Sequence, residues 1–396
     1  MNKAKPFLPP ADRIASFKPY FFASLGNKIA ELKTSGMDVI RLDMGAPDLP
    51  PEDFIIDALV ESARRSDTHS YTPMGGSPAF KKAVADYYME RFEVSLDPKS
   101  EIIGLIGSKE GVFNLSQVIL NPGDISLVPD PGYPVYAASG IIAGAEIVYL
   151  PLESNNGFLP DLKAIPQDKL ERAKLLWLNY PNNPTGAVAT MDFFEQAVLF
   201  AQKNNILIAH DAPYTDVCFD GYHAPSLLQV PGAREVAVEF NSLSKTYNMA
   251  GWRLGMAVGN AEVINYLYNY KSQMDSSTFE PINAAGITAL RGDQTWLEDR
   301  NKTYQVRRDL VVNGLKKAGF IVDPPKAAIY VWAHLPAGQT DSTSFCAKML
   351  GEIGVSITPG VVYGPHGEGY VRISLGTPTE RVEQAMQRIV NWDSGQ

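Results

Sequence analysis

The sequence predicts an α/β protein with a large, mostly parallel, seven-stranded sheet between helices and a smaller α+β domain. Short apolar runs alternate with amphipathic stretches through the middle of the chain. Near-continuous apolar strands separated by helices are typical of a parallel sheet that is covered on both faces. Near the end, the runs at 330–334 and 370–375 are each followed by a helical pattern and indicate a second unit.

Seven apolar runs are the predicted strands of the large sheet. They lie at 101–106, 125–129, 146–150, 174–179, 206–210, 236–241 and 254–258. Between them, apolar residues of 191–204 recur on one helical face, and 295–318 has the pattern of one long helix. We predict a large domain over 50–290 and a small domain formed by 1–49 together with 291–396.

Composition restricts the class of protein. The chain has 396 residues, of which 45% are hydrophobic and 20% charged, as is typical of a globular protein with a sizeable core. Its 35 Lys and Arg against 44 Asp and Glu give a net charge of −9 without an acidic or basic block. This balance argues against nucleic acid or an anionic membrane as a partner.

Cysteine usage and the N-terminal segment indicate a cytoplasmic protein. Cys218 and Cys346 form no CxxC and no Cys/His cluster, so we expect neither a disulfide framework nor a metal site. The first 17 residues lack the apolar core of a signal peptide. No apolar run approaches the ~18 residues that a membrane span requires.

Polar residues that follow the apolar runs are the candidate site, because open α/β sheets bind ligands at the carboxyl ends of their strands. "LIGSKEG" (105–111) has the pattern of a strand, a tight turn and a helix start, which suits an anion at Ser108. Plain capping of the helix by Ser108 explains the same residues. The spacing does not match a Walker loop.

Three further loops follow strands and supply an aromatic ring, an amide and a carboxylate. These are Tyr133 in "DPGYP", Asn183 in "NYPNNPTG" and Asp211 in "HDAPY". Each has a simpler explanation: a packed loop residue, a turn and a helix cap. A cis bond before Pro184 is compatible with the turn but does not follow from the sequence.

Two cationic positions complete the candidate site. Lys245 lies in "SLSKTYNMAGWR" after the run at 236–241, with Arg253 eight residues further on, and Arg372 lies inside "YVRISL". A solvated lysine and a cross-strand salt bridge are the simpler explanations. Taken together, however, these residues all fall where strand ends converge, and their chemistry suits one phosphorylated cofactor.

The whole chain, from "LDMGAPDLP" (42–50) to "YVRISL", resembles the class I/II aminotransferases of pyridoxal phosphate fold type I. "NNPTG", "HDAPY" and "SLSKTYNMAGWR", in that order, carry the resemblance. "YTPMGG", "LIGSKEG" and "DPGYPVY" are nearest to the LL-diaminopimelate aminotransferase-like branch.

The resemblance implies roles for the residues around the pyridoxal ring. Lys245 would form the Schiff base with pyridoxal 5′-phosphate and later carry the substrate Cα proton. Asp211 would keep the ring nitrogen protonated, so that the ring accepts electrons. Asn183 and Tyr214 would donate to the ring oxygen O3′, and Tyr133 would stack on the ring.

The resemblance also implies which residues bind the cofactor phosphate and the substrate. The phosphate ligands would be Ser108, the Lys109 backbone, Ser242, Ser244 and Arg253. Tyr71 would reach the phosphate of the neighbouring subunit, which implies a homodimer. Arg372 would bind the substrate α-carboxylate by two parallel hydrogen bonds. Gly45, Tyr20 and Asn183 would line the substrate pocket.

The predicted reaction is a ping-pong transfer of an amino group between an L-amino acid and a 2-oxo acid, for example LL-diaminopimelate and 2-oxoglutarate. Glu280 stands where the diaminopimelate enzymes have an asparagine, and it either meets a distal amino group or caps the next helix. Pro213 is also unusual beside Tyr214.

Alternatives remain open. A carbon–sulfur lyase or an aspartate, alanine or aromatic aminotransferase would share the same motifs. An amino-acid sensor is disfavoured because no DNA-binding extension precedes the domain. A nicotinamide dehydrogenase is disfavoured because no GxGxxG follows an early strand.

Overall fold

The computed structural model describes residues 7–15, 17 and 21–392. The strands are β1 Ile40–Arg41, β2 Ile102–Leu105, β3 Ile125–Asp130, β4 Glu146–Pro151, β5 Ala173–Leu178, β6 Leu207–Asp211, β7 Ala237–Ser242, β8 Gly255–Gly259, β9 Tyr330–His334, β10 Val355–Ser356, β11 Thr358–Pro359 and β12 Tyr370–Ser374. The helices are α1 Asp12–Ala15, α2 Phe21–Thr34, α3 Asp53–Ala63, α4 Pro78–Phe92, α5 Ser108–Ile119, α6 Val135–Ala143, α7 Gln167–Leu170, α8 Met191–Asn204, α9 Ala233–Val236, α10 Leu243–Thr246, α11 Ala261–Met274, α12 Glu280–Arg291, α13 Trp296–Lys317, α14 Ser342–Ile353 and α15 Thr379–Val390.

A seven-stranded sheet forms the centre of the molecule. Its strand order is β2-β8-β7-β6-β5-β3-β4. Strand β8 runs antiparallel to both of its neighbours, and the other pairs in the sheet are parallel. The predicted mostly parallel seven-stranded sheet is therefore confirmed.

Both faces of this sheet are covered by apolar side chains. Successive residues of β5 show this, because side chains of a strand alternate between the two faces. Leu176 and Leu178 belong to one buried cluster, whereas Leu175 and Trp177 belong to another. Burial on both faces explains why the strands appear in the sequence as continuous apolar runs.

A second group of strands joins the two ends of the chain. Ile40 of β1 pairs in parallel with Val355 of β10, and β11, β12 and β9 form a three-stranded antiparallel sheet. A separate buried cluster that includes Val311 and Met386 packs here. The two-domain division with bounds near 50 and 290 stays a prediction.

The carboxyl ends of β5, β6 and β7 open on one edge of the large sheet, beside the start of α5. The loops that follow these strands carry most of the predicted polar residues. No helix in the described part of the chain is long and apolar enough to cross a membrane.

Candidate active site

Lys245 lies on the single-turn helix α10, directly after β7. Its side chain is half-buried, and Nζ donates a hydrogen bond to the carbonyl oxygen of Gly45 at 2.6 Å. Loss of hydration, followed by the charges of Arg372 and Arg253, lowers the pKa of Lys245 from 10.5 to about 7. The side chain is not the solvated lysine of the simpler explanation. A lysine with this pKa is partly neutral at pH 7 and can act as nucleophile and base.

Asp211 ends β6 with a buried side chain. Burial raises the pKa of this carboxyl from 3.8 to about 6, against the opposing effects of a hydrogen bond from Tyr136 and the charge of His210. Tyr136 Oη donates to Oδ2 at 2.7 Å, while Oδ1 is buried without a hydrogen-bond partner among the described residues. Within the described chain the next helical segment is a 3-10 turn at Leu227–Gln229, which Ser226 caps, so Asp211 caps no helix. One open carboxylate oxygen is what a cationic ring N–H requires.

The loop after β5 connects Asp211 to the three-stranded sheet. Asn179 Nδ2 donates to the carbonyl oxygen of Asp211 at 2.6 Å. Asn179 Oδ1 in turn accepts from the backbone N–H of Asn183 at 2.8 Å. The peptide bond before Pro184 is cis. These bonds place the Asn183 side chain beside Arg372.

Arg372 of β12 is a buried cation without a carboxylate partner in the described part of the molecule. Its Nη1 donates to Asn183 Oδ1 and its Nη2 donates to the carbonyl oxygen of Asp43, both at 2.9 Å. Its Nε is buried and has no partner among the described residues. The cross-strand neighbours are Trp332 and Thr358, so the alternative of a cross-strand salt bridge is wrong. A buried, uncompensated guanidinium favours binding of an anion.

The guanidinium of Arg372 is stacked against aromatic rings. Its Cζ lies 4.1 Å from the ring centre of Tyr330 and 4.9 Å from that of Tyr363. The hydroxyl of Tyr330 lies 2.8 Å from that of Tyr214 and donates to the carbonyl oxygen of Gly45 at 3.4 Å. A Cβ on Gly45 would lie 2.5 Å from this hydroxyl and would displace it.

The predicted phosphate ligands meet at the start of α5. Gly107 is the N-cap, with φ of 72° and no capping side chain, so capping by Ser108 is wrong and Ser108 is the first helical residue. A Cβ on Gly107 would collide with the guanidinium of Arg253. Arg253 Nη1 donates to Ser244 Oγ at 3.4 Å, and Ser242 Oγ accepts from the backbone N–H of Ser244 at 3.2 Å. Free helix N–H groups, hydroxyls and a guanidinium together suit a phosphate.

Tyr133 and Lys109 lie at the rim of this edge. Tyr133 is half-buried, and Lys109 Nζ lies 5.7 Å from the centre of its ring. Lys109 is exposed in the single chain, yet partial desolvation and the charge of Arg253 lower its pKa. No described carboxylate pairs with the Lys109 amine.

Two other predicted residues, Tyr71 and Glu280, are not brought into the site of this chain. Tyr71 is 91% exposed. Tyr20 lies outside the described residues. Glu280 is the first residue of α12 and its side chain caps nothing; Glu280 Oε2 accepts from Asn283 Nδ2 at 3.3 Å. Capping of α12 by Glu280 is therefore wrong.

Sequence reasoning missed three residues that hold the site together: Tyr136, Tyr330 and Arg300. Arg300 of α13 is buried, with Nη1 donating to the carbonyl oxygen of Lys245 at 3.0 Å and also to that of Thr246. Its Nη2 donates to the carbonyl oxygen of Asp216 at 2.6 Å. Tyr136 is the last residue of "DPGYPVY", but no local pattern gives any of the three a role, because each acts through partners distant in sequence.

The described residues contain no cluster of three or more His, Cys, Asp or Glu that could hold a metal ion. The model of the family aminotransferase class I and II matches residues 37–389. The chain is 50% identical to the LL-diaminopimelate aminotransferase of Moorella thermoacetica, over 96% of this chain and 97% of that protein. It is 48% identical to the LL-diaminopimelate aminotransferase of Dehalococcoides mccartyi, over 96% and 98%. The solved structure of substrate-bound BacF from Bacillus subtilis has a TM-score of 0.93 and 36% identity, covering 97% of each chain.

Proposed function

The chain belongs to the class I and II aminotransferases, which use pyridoxal 5′-phosphate, and from this premise we propose that it transfers an amino group from LL-diaminopimelate to a 2-oxo acid such as 2-oxoglutarate. The substrate proposal is supported by 50% and 48% identity, over 96% of this chain, to two proteins named for this activity.

The residues at the sheet edge fit the cofactor. Asp211 offers a single open carboxylate oxygen to the ring nitrogen. Tyr214 would donate its hydroxyl to the ring oxygen O3′ once the Tyr330 hydroxyl donates to Tyr214 instead of to the carbonyl oxygen of Gly45. The side-chain oxygen of Asn183 already accepts from Arg372. The side-chain N–H groups of Asn183 are therefore left to donate to O3′ as well. We assign the phosphate to Ser242, Ser244, Arg253, Ser108 and the backbone of Lys109. Tyr133 would cover one face of the ring.

When bound, pyridoxal phosphate supplies a carbonyl that exchanges amino groups and a ring that accepts the electrons released at the substrate Cα. Lys245 Nζ, neutral in part at pH 7, would remove the Cα proton and hold it until it is returned. Arg372 would bind the α-carboxylate through the fork of its guanidinium and fix the Cα beside Lys245.

A second cation suits a donor with a carboxylate at each end. LL-diaminopimelate has this form, with an amino and a carboxyl group on either terminus. Lys109 has no described carboxylate partner, and its amine lies over Tyr133, the ring proposed to cover the cofactor. We propose that Lys109 attracts the distal carboxylate of the donor.

A single-turnover screen tests the donor. The cofactor-loaded enzyme is mixed with LL-diaminopimelate, aspartate, alanine, glutamate and phenylalanine in turn, and the absorbance of the bound cofactor is followed. LL-diaminopimelate should react fastest, and Lys109→Met should slow it by about two- to fivefold while leaving alanine nearly unchanged. Pyruvate and ammonia released from cystathionine without a 2-oxo acid would favour a carbon–sulfur lyase instead.

Lys245→Ala tests the chemistry itself. The variant should bind pyridoxal phosphate through the phosphate ligands yet lose transamination. Undiminished turnover in this variant would contradict the role of Lys245.

We propose further that the enzyme is a cytoplasmic homodimer in which Tyr71 reaches the phosphate of the neighbouring site. Tyr71 is almost fully exposed in the single chain. Its segment contacts the residues that precede α12: the Thr72 hydroxyl donates to the carbonyl oxygen of Thr278 at 2.8 Å, and Phe279 beside Thr278 is 45% exposed. An exposed aromatic face of this kind fits a subunit interface.

A further inference from the structure

We propose that Tyr136 is a positioning residue for the cofactor: its hydroxyl holds one oxygen of Asp211, so that the other oxygen alone is presented to the ring nitrogen. The proposal rests on the cofactor site described above and is independent of which amino acid is the donor. It assigns a role to the last residue of "DPGYPVY", for which the resemblance supplies none.

The ring of Tyr136 is held in place by packing within the chain. Tyr136 is fully buried in the first turn of α6. Its ring stacks on Trp177 with centroids 4.8 Å apart and planes inclined by 14°. Trp177 of β5 is paired in register with Ala209 of β6, two residues before Asp211 and therefore on the same face of the sheet. The stacked pair thus directs the hydroxyl at the end of β6.

The hydrogen bond divides the carboxylate of Asp211 into two unequal oxygens. Oδ2 accepts from the Tyr136 hydroxyl at 2.7 Å, whereas Oδ1 is buried and has no partner among the described side chains and backbone groups. A free carboxylate could rotate and share both oxygens. Because Oδ2 is held by Tyr136, the orientation of Oδ1 is already set. This reduces the conformational entropy that is lost when the cofactor binds.

The same hydroxyl also favours the anionic form of Asp211. Burial disfavours the charge, and donation to the carboxylate opposes that effect. Burial keeps the pKa of Tyr136 well above 10, so the hydroxyl remains protonated and can donate throughout the neutral range. Loss of the hydroxyl should therefore raise the pKa of Asp211. The carboxylate would then lose its charge at a higher pH as the solution is acidified.

Tyr136→Phe tests this inference because phenylalanine keeps the ring that stacks on Trp177. The affinity of the apoprotein for pyridoxal phosphate is measured by equilibrium dialysis from pH 5.5 to 8.5, and steady-state kinetics are measured on the loaded enzyme. We expect the variant to bind the cofactor about tenfold more weakly at pH 6 than the unmodified protein, with a smaller difference at pH 8. We also expect kcat to fall by about tenfold while KM for the amino donor changes less than about twofold.

The matched control is Tyr87→Phe. Tyr87 is also buried and donates its hydroxyl to a carboxylate, Asp216 Oδ2, at 2.6 Å. This control should lose stability without a change in the pH dependence of cofactor binding. The proposal is overturned if Tyr136→Phe has the pH profile of the unmodified protein, or if Tyr87→Phe shifts that profile equally. Because cofactor affinity is measured without substrate, failure of the LL-diaminopimelate assignment would not affect the result.

Discussion

The hydroxyl oxygens of Tyr214 and Tyr330 lie 2.8 Å apart, joining the loop after β6 to strand β9 of the three-stranded sheet. The Tyr330 hydroxyl also donates to the carbonyl oxygen of Gly45, which accepts from Lys245 Nζ. The guanidinium of Arg372 stacks on the same ring. Tyr330 therefore connects the groups proposed to bind the cofactor oxygen, the reactive amine and the substrate carboxylate.

Two substitutions at Tyr330 should separate the effects of its hydroxyl and its ring. Tyr330→Phe keeps the ring beneath Arg372, so KM for the amino donor should change little while kcat falls by about tenfold through the loss of order at Tyr214. Tyr330→Leu removes the ring as well, and KM should rise by a further ~5-fold. Steady-state kinetics on both variants provide the measurement. Equal KM values for the two variants would contradict a role for the ring.

Sequence reasoning located the strands and the polar residues after them because both depend on local pattern. A parallel sheet covered on both faces requires continuous apolar runs, and ligand groups gather where such runs end. Lys245 and Asp211 were found on this basis. The family resemblance then supplied roles that the pattern alone left open.

The contacts that tune these residues could not be found in the same way. Tyr136 precedes its partner Asp211 by 75 positions, and Tyr330 follows Tyr214 by 116. Such pairs are set by the packing of helices and sheets, which no local window contains. The predicted cap of α5 by Ser108 was wrong for a different reason. Which residue caps the helix depends on the backbone dihedral angles at its start, and there Gly107 is the N-cap residue.

The pKa of Lys245 predicts how cofactor capture depends on pH. The amine must be neutral to attack a carbonyl, so the rate of pyridoxal phosphate capture by the apoprotein should rise through about pH 7 rather than near 10.5. Arg372 lowers this pKa, and Arg372→Met should move the midpoint to higher pH because a neighbouring positive charge is removed. Stopped-flow absorbance between pH 5.5 and 9.5 measures the midpoint.

The control for this measurement is Lys28→Met, which removes a positive charge from the exposed pair with Glu31 on α2. Its midpoint should equal that of the unmodified protein, since solvent screens exposed and distant charges. A midpoint near pH 10 in the unmodified protein, or no shift in Arg372→Met, would show that these cations do not set the reactivity of Lys245.

Arg300 should contribute to stability and to the placement of Lys245 together. Its buried guanidinium donates to the backbone carbonyl groups of Lys245, Thr246 and Asp216. Arg300→Met leaves these acceptors without their donor, and we expect a loss of about 2–4 kcal/mol in the free energy of unfolding. Denaturant unfolding measures the loss, and slower cofactor capture should accompany it.

An exposed arginine provides the comparison. Arg65 pairs with Asp67 at the surface, with 62% and 66% of the two side chains accessible. Arg65→Met should change the free energy of unfolding by less than about 1 kcal/mol, as is usual for exposed ion pairs. If Arg300→Met were equally mild, the guanidinium would not be what holds the backbone of α10.

Mixed dimers test whether Tyr71 serves the neighbouring site. Homodimers of Lys245→Ala should be inactive, and homodimers of Tyr71→Ala should bind pyridoxal phosphate weakly. In a hybrid of the two, one site combines the intact Lys245 of one subunit with the intact Tyr71 of the other. After the variants are unfolded and refolded together, activity should return to about a quarter of the normal value, since about half of the dimers are hybrids with one complete site of two. If Tyr71 acted within its own chain, every site of the hybrid would lack one residue and no activity would return.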